Sequence, residues 1–105
     1  MERIGILAIL QANPGRADDV EAFLKSAQFL AQSEARTLRW YAFRFDDSRF
    51  GIFDTFADEG GRQAHVAGEL ARQLLAAAVD LLAAPPSIEF IGIIANKHSA
   101  EWTGT

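Results

Sequence analysis

The 105-residue chain contains no cysteine. That absence excludes disulfides, thiolate nucleophiles and cysteine-ligated zinc, and leaves the redox compartment open. Basic residues are few and scattered. Ten Lys/Arg stand against fourteen Asp/Glu, for a net charge of −4, and no two of the ten are adjacent. A nucleic-acid surface needs the opposite balance, so no nucleic-acid partner is expected. Long apolar runs are missing too. None approaches the roughly 18 residues that span a bilayer, and no membrane partner is expected. Arg3 followed by seven apolar residues, Ile4 to Leu10, superficially resembles a signal-peptide core. A helical pattern begins just after the next turn, so a strand is the better reading, and a cytoplasmic location is expected. No Gly-rich phosphate loop is present, because Glu59-Gly60-Gly61 lacks both the spacing and the lysine. No His/Asp/Glu cluster has metal-ligand spacing, so no metal is expected.

Half of the residues are apolar, which suits one globular domain with one core. Ile4 to Leu10 reads as a strand buried on both faces, ended by Pro14-Gly15. From Ala17 the period becomes helical: Val20, Phe23, Leu24, Ala27, Leu30 and Ala31 fall on one stripe. Thr37–Phe45 and the run from Arg49 to Ala57 read as strands joined by a short polar turn, hence an antiparallel hairpin. Asp58 is the expected N-cap of a second helical region whose buried face is Val66, Leu70, Leu74, Ala77, Ala78 and Leu81, with Gly68 as a place to bend. Pro85-Pro86 ends it. Ser87–Ala95 is the last strand. The order βαββαβ predicts an α+β, ferredoxin-like fold: a four-stranded antiparallel sheet with helices on one face. The folded domain is expected over 1–97, with a polar tail at 98–105.

The first and last strands, taken as outer strands, are apolar on both alternations. A sheet with one wet face should alternate. A second copy packed face to face would cover the spare face, so a homodimer is expected.

Several side chains stand out. His65 is the only histidine inside the expected domain. It reads either as a general base at a pocket mouth or as part of a solvated stripe with Glu69 and Arg72 at i+4 and i+7. Trp40 and Arg44 share one strand face and Tyr41 the other. Arg44 reads as the partner of Asp54 on the neighbouring strand, or as a ligand for an anion. Trp40 and Tyr41 line a pocket or pack in core and interface. Asn13 is a turn residue or a substrate contact.

Pro14-Gly15, then Asp54-Thr55-Phe56, the acidic corner Asp58-Glu59, and His65 nine residues after Phe56 follow one pattern. In it the chain resembles the antibiotic biosynthesis monooxygenase family of dimeric α+β barrels. It departs from that family where glutamate and tryptophan usually stand in place of Asp54 and Phe56, and in having Ala35-Arg36 where Pro-Gly is usual. The resemblance implies oxidation without a cofactor, the substrate being its own reductant: a small aromatic or quinol compound. It implies His65 and Arg44 as catalytic candidates and Trp40, Tyr41 and Asn13 as substrate contacts. A dimeric barrel that binds a small apolar ligand without turnover is the alternative.

Overall fold

The structure, a computed structural model, describes residues 1–98. Most of the expected tail, from residue 99 on, lies outside the described residues. Gly15, at φ 78°, makes the turn after the first strand, where an L side chain would be strained. The elements are β1 (Ile4–Gln11), α1 (Ala17–Gln32), β2 (Arg39–Arg44), β3 (Arg49–Phe56), α2 (Glu59–Val66), α3 (Glu69–Leu81) and β4 (Ser87–Gly92). The strands form one antiparallel sheet in the order β2-β3-β1-β4. This is the ferredoxin-like α+β arrangement. No described helix is long and apolar enough to cross a membrane.

The sheet order corrects the reading of β1 as an outer strand. It lies inside the sheet, flanked by β3 and β4. Its helix-side residues Ile6, Ala8 and Leu10 are buried, while Leu7 and Ile9 on the other face stay half-buried. The edges are β2 and β4, and Ile88 and Phe90 of β4 remain about half exposed.

Register decides which side chains meet. Ile6 lies opposite Asp54, Ala8 opposite Ile52 and Leu10 opposite Phe50. These residues, with Phe56, form one nearly fully buried layer. Val20, Leu24, Ala27 and Ala31 of α1 close over it, as do Leu70 and Leu74 of α3. Asp54 is the one charged residue of that strand layer, only 1% exposed.

The second helical region is two helices. Asp58 caps α2 as expected, its carboxylate accepting from the Gly61 N–H at 2.9 Å. The helix stops at Ala67, and Gly68, in extended conformation, starts α3. A Cβ at Gly68 would sit 3.2 Å from the Ala64 carbonyl oxygen, so a larger residue would crowd the junction. The break corrects the buried stripe: Leu70 and Leu74 are buried, but Val66 belongs to the other helix and is 43% exposed.

The opposite sheet face carries Leu7, Ile9, Phe43, Phe53 and Ile91, all half-buried, with Tyr41 and Phe45 exposed. No described helix covers it. Gly5 lies in this face between Phe53 and Ile91, where a Cβ would fall 2.6 Å from the Asp54 carbonyl oxygen. Gly92, one strand away, has nothing within 4 Å of its would-be Cβ. Gly5→Ala should therefore cost about 1–3 kcal/mol of stability by crowding the β1–β3 ladder. Gly92→Ala should be nearly neutral. Urea unfolding of the two variants checks this, and equal midpoints would contradict it.

Candidate functional site

His65 sits in the last turn of α2, where a positive ring suits the helix C-terminus. It is not on a solvated stripe. The expected stripe assumed one continuous helix, and the restart at Gly68 separates His65 from Glu69 and Arg72. Those two pair with each other at the surface, while His65 is buried, 8% exposed.

Both ring nitrogens face carboxylates. Nε2 lies 3.0 Å from Asp54 Oδ2, and Nδ1 lies 2.6 Å from Glu34 Oε1. Glu34 belongs to the connection after α1, and its Oε1 also accepts from the Thr37 hydroxyl at 2.7 Å. Phe56 packs beside the ring, at 5.4 Å between centroids. Burial works against charge on the imidazole, but hydrogen bonding and attraction from Asp54 and then Glu34 outweigh it. Its pKa is raised to about 9. At neutral pH the ring is an imidazolium donating both N–H groups. The second oxygens of the carboxylates, Asp54 Oδ1 and Glu34 Oε2, are buried with no hydrogen-bond partner.

Asp54 and His65 form the polar end of a cavity of about 190 Å³ between α2, α3 and the sheet. Every other lining residue is apolar, among them Ile6, Ala8, Ile52, Leu70, Leu74 and Phe90.

The remaining singled-out residues lie elsewhere. Trp40, Tyr41 and Arg44 come together in a separate trough of about 500 Å³ between α1 and β2, with Glu21 and Lys25. The expected Arg44–Asp54 pair does not form, because register places Arg44 opposite Phe50 and Asp54 opposite Trp40. Arg44 instead donates to Glu21 at 2.8 Å and to the carbonyls of Asp46 and Asp47 in the hairpin turn. The Trp40 indole N–H is buried without a partner. Asn13 ties the end of β1 to α3: its side-chain amide donates to the Asp80 carbonyl at 3.0 Å, and its backbone N–H to the Leu81 carbonyl. His98 lies against Arg39 and Glu2.

Glu34 was not singled out by sequence. It sits 31 positions from His65 in a polar connection, and no local pattern marks it. Asp54 was singled out, but for a different partner.

No protein-family model and no curated protein matches the chain. Among solved structures, an antibiotic biosynthesis monooxygenase candidate from Nitrosomonas europaea superposes with a TM-score of 0.78 at 12% identity, over 88% of this chain and 90% of that one. Another, from Chloroflexus aurantiacus J-10-fl, gives 0.72 at 17% identity, over 91% and 97%. The chain therefore has the antibiotic biosynthesis monooxygenase fold that its motifs resemble. The NE2512 protein of Nitrosomonas europaea, whose own function is unknown, is 44% identical over 95% of this chain and 97% of that one, with a TM-score of 0.91. This chain belongs to the same family as that protein.

The raised His65 pKa links pH to stability. A group whose folded pKa exceeds its unfolded value stabilises fully below the unfolded value, near 6.5, and loses that contribution as pH rises through about 9. Stability should thus fall between pH 6.5 and 9, by on the order of 3 kcal/mol. His65→Gln should flatten this limb. Thermal unfolding across that range provides the check, and an unchanged slope in the variant would assign it to other groups.

Proposed function

We propose that the protein is a cofactor-independent monooxygenase acting on a single-ring phenol or hydroquinone, with Asp54 receiving the substrate hydroxyl. One observation carries this reading: a buried carboxylate, one oxygen of it without a partner, in the residue that stands at the polar end of an otherwise apolar cavity. A buried acceptor left unmatched costs about 1–3 kcal/mol, which a donor on a ligand would recover. The size agrees, since an apolar cavity of about 150 Å³ accepts benzene.

In this reading His65 is not the base. As an imidazolium it has no free lone pair. It pairs with Asp54 through Oδ2, leaves Oδ1 for the ligand, and places a positive charge beside the developing phenolate. Glu34 holds the ring from the other side. Asp54 takes the hydroxyl proton. The electron-rich ring passes one electron to O₂, and the resulting superoxide and phenoxyl radical combine as a carbon–peroxide bond. The proton on Asp54 goes to the distal oxygen. The O–O bond then breaks as the ring C–H proton leaves with it as water, giving a quinone. Phenol plus O₂ thus becomes quinone plus water, with no other reductant.

Oxygen uptake with a panel of phenols and hydroquinones tests the reading. Asp54→Asn should lower the rate by about 10²-fold or more, the scale of positioned acid–base groups. The wild-type rate should hold as pH falls through 6.5 and decline as pH rises towards 9, where His65 loses its charge. Arg44→Ala should keep turnover, and its loss there would move the site to the trough with Trp40 and Tyr41. Ligand binding with no oxygen uptake by the wild type would favour a non-catalytic binding protein.

The uncovered sheet face supports a homodimer with the two sheets facing each other. Apolar side chains from two copies would interdigitate there at about 10 Å separation. Sedimentation equilibrium at micromolar concentration should give about twice the chain mass of 11.5 kDa, and a monomer would contradict it.

A further inference from the structure

The cavity is not closed on its outer side. Its rim includes Val66, Leu75, Ile88 and Phe90, each between 43% and 61% exposed. Leu75 also lines a second, shallower hollow of about 410 Å³ that runs along α3 towards the Pro85-Pro86 turn. The other side chains of that hollow are all apolar, among them Val79, Leu82, Ala83 and Pro86. Val79 follows Leu75 by four residues, so the two share one face of α3, and Val79 is 87% exposed. Large apolar side chains grouped in this way on a surface mark a binding site more often than chance.

We infer that the substrate is an amphiphile, a phenolic ring carrying an aliphatic tail, with the ring in the cavity and the tail in the hollow over α3. This rests on the reading of the cavity as a phenol site and names the class of phenol. The continuity at Leu75 selects this occupant, since a chain leaving the ring away from Asp54 passes that residue into a groove without a charged side chain. The trough between α1 and β2 is the larger depression, but it shares no lining residue with the cavity and holds Glu21, Lys25 and Arg44. An aliphatic chain has no reason to lie there. Small side chains at Ala78, Ala83 and Ala84 keep the hollow open.

The test is calorimetric affinity for phenol and for 4-n-alkylphenols of increasing length. Binding should tighten by about two- to fourfold per methylene, the upper value being full burial. The double variant Val79→Asp, Ala83→Asp changes exposed positions outside the cavity. It should abolish this increment and leave the affinity for phenol itself unchanged. A flat series in the wild type, with phenol bound, would overturn the tail and spare the phenol site. So would an increment that survives in the variant. If neither phenol nor any alkylphenol binds, both readings fall. A variant that sediments at half the wild-type mass would assign the patch to a second copy of the chain, and would likewise overturn the tail.

Discussion

A buried imidazolium between one buried and one partly buried carboxylate organises this site. His65 joins β3 through Asp54 and the α1–β2 connection through Glu34, so it ties the β3–α2 corner to a segment 31 positions away. Such a cluster is an expensive way to gain stability. Each ion loses several kcal/mol of hydration, and its partners recover that only with good geometry. One cation faces two carboxylates, and two carboxylate oxygens remain unmatched. Apolar residues of similar size would pack the same space at less cost. Under the proposed function, that cost is offset by what the cluster presents to the cavity.

Much of the architecture was legible because it depends on local periodicity. The change from strand to helix pattern after Gly15, the hairpin between β2 and β3, and the Asp58 cap all follow from neighbouring residues. The doubly apolar pattern of β1 was legible as well, but its cause was not. The helices cover Ile6, Ala8 and Leu10, but no described element covers Leu7 and Ile9, and the strand's own sequence does not tell the two faces apart. The Gly68 break was visible only as a weak point. Whether a glycine bends a helix or ends it depends on what packs on either side.

The site was legible in its members more than in its pairing. His65 and Asp54 were both picked out, and the structure brings them to 3.0 Å. Their partnership was missed because an arginine two strand positions away on the same face looked like the natural partner of Asp54. The register puts Arg44 at the end of the hairpin, where turn carbonyls and Glu21 satisfy it. Glu34 left no trace in the sequence. Its role comes from where the connection after α1 passes over α2, a fact of tertiary packing alone. The imidazole's charge state was hidden for the same reason. An isolated histidine suggests a base near neutrality, but two carboxylates at hydrogen-bond distance make it a cation.

The cavity itself follows from small residues among large ones. Ala8 lies on β1 between Ile52 and Ile88 on its two neighbouring strands, and Ala71 faces it from the first turn of α3. A leucine at either place would fill the space, as Leu10 does one step along the same strand face, where it is fully buried. Interiors close-pack wherever the side chains allow. The void therefore persists because the residues around it are short, and it stands beside the one carboxylate of the buried strand layer. It also lies on the β4 side of the sheet, the side that α1 does not reach, so its outer wall is the half-exposed edge of β4 and the apolar flank of α3. The helix restart at Gly68 completes this geometry. It ends α2 just after His65, so that the imidazole stays over Asp54, and it lets α3 begin again with Leu70 and Leu74 turned onto the sheet. Polar end, apolar walls and open flank thus follow from Asp54, two alanines and one glycine.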